Sequence, residues 1–457
     1  MNQLEGVKRF YFIGIGGIGM SALARYFFSK GFVVAGYDKT PSPLTDLLQQ
    51  EGIAIHFDDL GENIPSPYNK VEGTIVVYTP AIPKNFGELV FTQQHHTVYK
   101  RSEVLGLITQ SSKGIGVAGT HGKTTTSTML AHVLNQSETK CSAFLGGIAT
   151  NLNSNVLVHP SAEYTIVEAD EFDRSFLRLS PFASIITAMD PDHLDIYGTP
   201  EAFYESFQEY ANKHAGKVLV YKHNLPLNNT GFQAVTYGLN QSSATVSGAD
   251  LTAQNGRFLM NITGPFGTWK AVELGLPGIH NAENALAVVA MCYQLGLSEQ
   301  EIRAGLQSFK GVRRRFEYHV RTPNFVYIDD YAHHPTEIEA LVSSVRMMYP
   351  NKKITGIFQP HLFSRTQDFF DGFVAELSKL DEVLLLPIYP AREEPIEGVR
   401  SDVLVAAIGN KALLVLPEEV VTWAESTDAQ VVLTIGAGDI DRIVPKLSAI
   451  FERKNHE

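Results

Sequence analysis

Cysteine is scarce: Cys141 and Cys292 are the only two in 457 residues. Two thiols exclude a disulfide framework and suit a reducing compartment, so a cytoplasmic setting is expected. Long apolar runs are missing too. None approaches the roughly 18–20 residues that span a bilayer, so no membrane partner is expected. The opening MNQLEGVKRF has no apolar stretch behind a basic start and does not read as a secretory leader. Positive charge is in deficit, with 37 Lys+Arg against 49 Asp+Glu and a formal net charge of −12. That balance argues against nucleic acid as a partner, which needs a basic face. It leaves open small anions, which backbone N–H groups and a few local cations can hold. A G-x-S-x-G elbow and a Cys–His signature are absent as well, so the chain offers no obvious enzyme nucleophile.

What is present is strand–helix alternation, repeated three times. The length exceeds one ordinary core and implies two or three domains. RFYFIGI, VVAGYD and TIVVYTPAI are strand-like and alternate with helix-like segments that end at glycine, which predicts a parallel, doubly wound sheet over residues 1–107. A second cycle starts at KGIGVAGTHGKTTTSTMLAHVLNQ and fills residues 108–312. Within it, residues 216–275 change to short β-like runs with polar turns. They predict a small, mostly antiparallel extra sheet inserted in or appended to the middle domain. A third α/β cycle, with strands FVYIDDYA, KITGIFQPH, EVLLLPIYPA and VVLTIGAG, occupies 313–457.

Two glycine-rich loops compete for attention. Gly14-Ile15-Gly16-Gly17-Ile18-Gly19 satisfies G-x-G-x-x-G between a strand and a helix, and Asp38 follows 19 residues past Gly19. Taken alone, that is a dinucleotide fingerprint with its ribose-binding acid. Gly119-Thr120-His121-Gly122-Lys123-Thr124 is a G-x-x-G-K-T loop, also between strand and helix. Its backbone would cradle phosphates, Lys123 would reach the β/γ-phosphates and the Thr124 hydroxyl would touch Mg²⁺. It departs from the strict P-loop, whose first glycine would stand at Val117.

Acidic and polar residues gather at the ends of later strands. Glu168 and Asp170 end YTIVEADE, where a magnesium-binding carboxylate belongs, although such acids are as often solvated loop residues or caps. His193, in DPDHLD, follows another apolar strand. Asn281 and Asn284 lie three apart at a helix start, suited either to capping or to an amide contact with a purine edge. Arg313, Arg314 and Arg315 form a solvated basic patch or supply a phosphate contact. Asp329, Asp330, Tyr331, His333 and His334 follow one strand of the third cycle, and His361 with Arg365 follows another. A zinc site is not expected there, because neither helical H-x-x-x-H spacing nor a cysteine partner occurs.

The order FIGIGGIGMSALA, GTHGKTTT, EADEFD, DHLD, HNAENALA, RRRFEY, DDYAHHPTE, FQPHLFSRT and TIGAGDI resembles the Mur ligases of bacterial peptidoglycan synthesis over nearly the whole chain. The resemblance implies a Rossmann-like domain for the UDP-sugar, a P-loop ATPase-like central domain and a Rossmann-like C-terminal domain for the amino acid. It implies ATP and Mg²⁺ as cofactors, UDP-N-acetylmuramate and L-alanine as substrates, an acyl phosphate intermediate, and a monomer or weak homodimer. For the UDP substrate it implies Gly14, Gly16, Gly17, Gly19, Met20, Asp38, Thr79 and Arg101. For ATP it implies Gly119, Thr120, His121, Gly122, Lys123, Thr124, Thr125, Asn281, Asn284, Arg315 and Asp330, with Thr124, Glu168 and His193 on the metal. Lys123, Glu168, His193, Arg315 and Asp330 become the catalytic set, and Tyr331, His333, His361 and Arg365 the amino-acid site. Several relatives carry a carbamylated lysine shortly after the histidine. Here the first lysine past His193 is Lys213, so no carbamate is expected.

The resemblance changes the owner of the first glycine loop. With a separate ATP loop downstream, the pyrophosphate expected there is that of UDP rather than NAD. An NAD(P) oxidoreductase, a tripeptide-recycling ligase on the same scaffold and a non-catalytic nucleotide sensor are the competing readings.

Overall fold

Alternating side chains set the layers of the first sheet. In strand Arg9–Ile13, Phe10 and Phe12 join one apolar cluster while Tyr11 and Ile13 join another, so the strand is covered on both faces. The computed structural model describes residues 6–110, 112–191, 194–214, 216–229, 231–254, 257–391 and 393–456. His193 lies outside them. The sheet runs in the order Ala54–His56, Val33–Tyr37, Arg9–Ile13, Thr74–Tyr78 and Thr97–Lys100, every neighbouring pair parallel. The chain leaves Arg9–Ile13 for one side and later returns to the other. The crevice at the carboxyl end of that strand is therefore the topological switch point, and the first glycine loop sits there.

The central sheet has ten strands. From one edge they are Gly267–Leu274, Arg257–Gly264, Val246–Gln254, Gln233–Leu239, Val218–Lys222, Ala183–Ile186, Lys113–Ala118, Tyr164–Ala169, Cys141–Ala149 and Ser154–Leu157. The runs expected to make a small extra sheet instead extend this one. Val218–Lys222, Gln233–Leu239 and Val246–Gln254 are added parallel, each hydrogen-bonded to the strand before it. Only Pro265 and Phe266 separate the last two strands, and a connection that short joins antiparallel neighbours. The glycine loop at residues 119–122, the acids after Ala169 and the segment after Ile186 all leave adjacent strands at the same carboxyl edge.

Helix Ile18–Ser29, which carries the first glycine loop, is pinned to the edge of the central sheet. The buried Asn155 amide donates to Ile18 O at 2.6 Å and Ser21 Oγ at 2.9 Å and accepts from Arg25 Nη1 at 2.5 Å. Arg25 in turn pairs with Glu51 at 2.7 Å. A buried amide with all these partners satisfied fixes a single docking of the helix.

Two compact units result. One contains both of these sheets and runs to Lys310, except that Leu251–Leu259 and Leu274–Ala282 group with Gly311–Glu457 in the other. The second unit is built on a six-stranded sheet ordered Glu317–Arg321, Val326–Asp330, Val431–Ile435, Ile354–Phe358, Glu382–Leu385 and Ala412–Leu414. Its first pair is antiparallel and the rest parallel. The last strand in sequence inserts between Val326–Asp330 and Ile354–Phe358, which makes the carboxyl ends of those two strands its switch point.

His214 closes helix Pro200–Asn212, with Nδ1 3.2 Å from Tyr210 O and 3.1 Å from Ala211 O. Burial pushes its imidazole from 6.5 down to about 4. The unfolded chain takes the proton first, so the contribution of neutral His214 is whole above pH 6.5 and is lost as pH falls toward 4. His214→Asn keeps a donor and removes the titration. In urea unfolding, the wild-type advantage over that variant is expected to shrink by about 1.4 kcal/mol per pH unit across this window; a constant difference would contradict the assignment.

Candidate active site

The first glycine loop and Lys123 of the second share one cavity of about 340 Å³ within the first unit, lined by Gly17, Gly19, Arg101, Lys123, Gly146 and Glu168 among others. In the first loop, Gly14 N and Ile15 N donate to Tyr37 O at 2.8 and 2.9 Å. Gly16 N donates to Asp38 Oδ2 at 2.7 Å. Asp38 thus braces the loop from behind. The Arg101 guanidinium lies over the loop, 2.8 Å from where a Cβ on Gly19 would stand, and Nη2 pairs with Asp170 at 3.3 Å. Met20 and Thr79 line the same cavity.

The second loop is shaped by close approach. Gly119 has φ of 130°, and a Cβ there would strike Thr187 Oγ1 and sit 2.7 Å from Ala188 N. Glycine is therefore required on both counts. The Thr187 hydroxyl donates to Ala118 O at 3.1 Å and also bonds to His121 O. Thr120 Oγ1 accepts from Asp190 N at 3.2 Å, and His121 Nε2 lies 3.9 Å from Asp190. Gly122 caps helix Lys123–Gln136 in the left-handed region, with Thr125 buried in the first turn. Asn284 Oδ1 lies 2.8 Å from a Cβ built on Gly122, so this amide faces the loop. Asn281, one turn earlier on helix Ile279–Gln294, is buried and donates to Pro277 O at 2.6 Å, which ties it to the chain entering the helix.

The acids form an ordered row. Glu168 accepts from Thr124 Oγ1 at 3.2 Å, Ser127 Oγ at 3.1 Å and Gly146 N at 2.6 Å. Burial raises its carboxyl, opposed by the Gly146 N–H, Lys123 and the two hydroxyls. Lys123 Nζ donates to both oxygens of Glu171 at 2.7 Å and to Gly119 O at 2.6 Å. Glu171, Gly146 and Ser127 were not among the expected site residues. Glu171 is the third acid of the EADE run, which was its one visible signal; Gly146 showed none, because its role is to have no side chain.

In the second unit the expected amino-acid residues converge at the switch point. The Tyr331 and His333 rings are 5.3 Å apart, His333 and His361 are 6.2 Å apart, and Arg365 Nη1 reaches His361 Nδ1 at 3.3 Å. Burial, Arg365 and His333 push His361 down to about 4, so at neutral pH Arg365 carries the charge of that pair. Arg314 and Arg315 lie 5.2 and 5.1 Å from the Tyr331 ring centroid. Asp330 accepts from Phe316 N at 2.7 Å and Ala332 N at 2.8 Å. Burial lifts its carboxyl to about 6 against the pull of Arg315. Glu317, His319 and Asp329 come within reach of one cation. Arg314, however, already donates to both carboxylates, through N to Glu317 at 2.7 Å and Nε to Asp329 at 3.2 Å.

The chain matches three family descriptions in succession: "Mur ligase family, catalytic domain" over residues 9–113, "Mur ligase middle domain" over 117–292 and "Mur ligase, glutamate ligase domain" over 314–443. It is 49% identical over 457 residues to a UDP-N-acetylmuramate–L-alanine ligase of Flavobacterium psychrophilum, covering 99% of this chain and 100% of that one. The corresponding ligase of Porphyromonas gingivalis is 48% identical, with 96% and 98% covered. The crystal structure of UDP-N-acetylmuramate–alanine ligase from Thermotoga maritima superimposes with a TM-score of 0.83 at 29% identity, covering 98% of this chain and 99% of that one.

A methyl at Gly146 would press on both Glu168 oxygens, 2.6 Å from Oε1. Gly146→Ala is therefore expected to leave the circular dichroism unchanged while removing most of the melting-temperature rise that Mg·ADP induces. A wild-type rise in the variant would show that Glu168 needs no such clearance.

Proposed function

Because the chain belongs to the Mur ligase family, we propose that it is an ATP-dependent ligase joining L-alanine to the lactyl carboxylate of UDP-N-acetylmuramate, a cytoplasmic step of peptidoglycan precursor synthesis. The observation that carries this reading is the shared cavity. A glycine loop suited to the UDP pyrophosphate and the loop lysine Lys123 line the same space. An acceptor carboxylate tethered to UDP would thus meet the γ-phosphate of ATP there.

The chemistry needs charge management above all. A carboxylate oxygen attacks the γ-phosphorus and ADP leaves, giving an acyl phosphate. The alanine amine then attacks the acyl carbon, and the tetrahedral intermediate expels inorganic phosphate. Lys123 and the N–H groups of the 119–124 loop offset the charge that gathers in the first step. Thr124 and Glu168 offer a hydroxyl and a carboxylate 3.2 Å apart, an all-oxygen donor pair of the kind Mg²⁺ prefers. They would hold that ion together with His193, and the bound ion would neutralise phosphate oxygens. Asn284, facing Gly122, suits the adenine, with Asn281, Arg315 and Asp330 as further ATP residues. Tyr331, His333, His361 and Arg365 form a cluster in which Arg365 offers a positive charge suited to the alanine carboxylate. On this reading residues 1–107, 108–312 and 313–457 are the UDP-sugar, ATP and amino-acid domains.

Phosphate release from ATP with UDP-N-acetylmuramate is expected to depend on L-alanine. Release driven instead by an L-alanyl-γ-D-glutamyl-diaminopimelate tripeptide would make the chain a recycling ligase, and release with no amine supporting it would overturn the assignment. Arg365→Ala removes one charge-assisted contact, worth about 1.5–3 kcal/mol. The KM for L-alanine should therefore rise roughly 10- to 100-fold with little change in the KM for ATP; equal rises in both would remove Arg365 from the amino-acid site.

A further inference from the structure

Both Glu171 oxygens accept from Lys123 Nζ, and Gly119 O takes the remaining proton. An ammonium has three donors, so all three of Lys123's are in use. A nucleotide phosphate that draws on Lys123 must displace one of these acceptors. Gly119 O belongs to the loop itself, which leaves Glu171 as the exchangeable partner.

The two halves of the pair differ in mobility. The Glu171 side chain is 3% exposed. Its carbonyl oxygen accepts from Tyr197 OH at 2.6 Å and Arg174 N at 2.9 Å, which anchors the acid from behind. Lys123 swings on a four-carbon stem and lines the cavity. A fixed acid and a movable base make a holder and a held group. Burial raises the Glu171 carboxyl and the Lys123 ammonium is the largest opposing influence.

We propose that Glu171 is the resident counter-ion of Lys123, exchanged for phosphate when nucleotide binds and recapturing the lysine when nucleotide leaves. It is a positioning residue, acting through Lys123. The proposal rests on the reading of residues 119–124 as the nucleotide loop. It has a direction: Glu171 competes with phosphate, so removing its charge strengthens nucleotide binding even though an ion pair is lost.

The test is fluorescence titration of the full-length protein with mant-ADP and Mg²⁺. Glu171→Gln is expected to tighten binding about fivefold or more and to slow mant-ADP release in stopped flow. Glu171→Asp, whose shorter carboxylate cannot reach Lys123 equally well, should give an intermediate gain, and it carries the test if the glutamine variant does not fold. In a Lys123→Met background the glutamine substitution should add no tightening. Unchanged or weaker binding in Glu171→Gln, with wild type binding and Lys123→Met weakened, would overturn the exchange and leave the nucleotide loop standing. Tightening that persists without Lys123 would overturn it too. A wild-type protein that does not bind mant-ADP would overturn both the loop assignment and this proposal.

Discussion

One half-buried ammonium, that of Lys123, stands among three carboxylates. Lys123 is held by Glu171, is among the influences that oppose the upward push of burial on the Glu168 carboxyl, and lines the cavity that Asp170 shares. A charge taken out of water is stable only where partners replace its hydration. The structure supplies those partners from three consecutive features of the sheet edge: the glycine loop, the acidic strand end and the Gly146 N–H. Much of the local geometry follows from that requirement. Gly146 is a glycine because a side chain there would intrude on this set, Gly119 because one would strike Thr187 and the Ala188 backbone, and Thr124 and Ser127 present hydroxyls to Glu168 from one helix turn.

A second constraint places the two phosphate loops on one body. The Asn155 amide binds the first turn of helix Ile18–Ser29, and Arg25 extends that contact to Glu51. The loop suited to UDP and Lys123 of the loop suited to ATP thus border the same cavity. On the proposed reading, this pairing sets the distance over which the carboxylate and the γ-phosphate approach each other.

The parts of the site legible in the sequence were those with local spacing. Both glycine loops, the strand-end acids and the tyrosine, histidine and arginine cluster of the second unit follow from strand–loop–helix punctuation. What was not legible depends on contacts distant in sequence. Lys123 meets Glu171 48 residues on, and Asn155 grips a helix more than 130 residues before it. The strands after Val218 read as a separate sheet because polar turns interrupt them. Only their backbone pairing shows that they widen the central one. Asp38 had the spacing of a ribose-binding acid, but one of its oxygens is engaged by Gly16 of its own loop.

The central claim is that an oxygen of the acceptor carboxylate attacks ATP directly. UDP-N-acetylmuramate labelled with ¹⁸O in both lactyl carboxylate oxygens tests it, with ATP and L-alanine at natural abundance and the released phosphate read by mass spectrometry. The account predicts one ¹⁸O atom in each phosphate, because the bridging oxygen of the acyl phosphate leaves with phosphorus. Unlabelled phosphate, with amide product still formed, would contradict it.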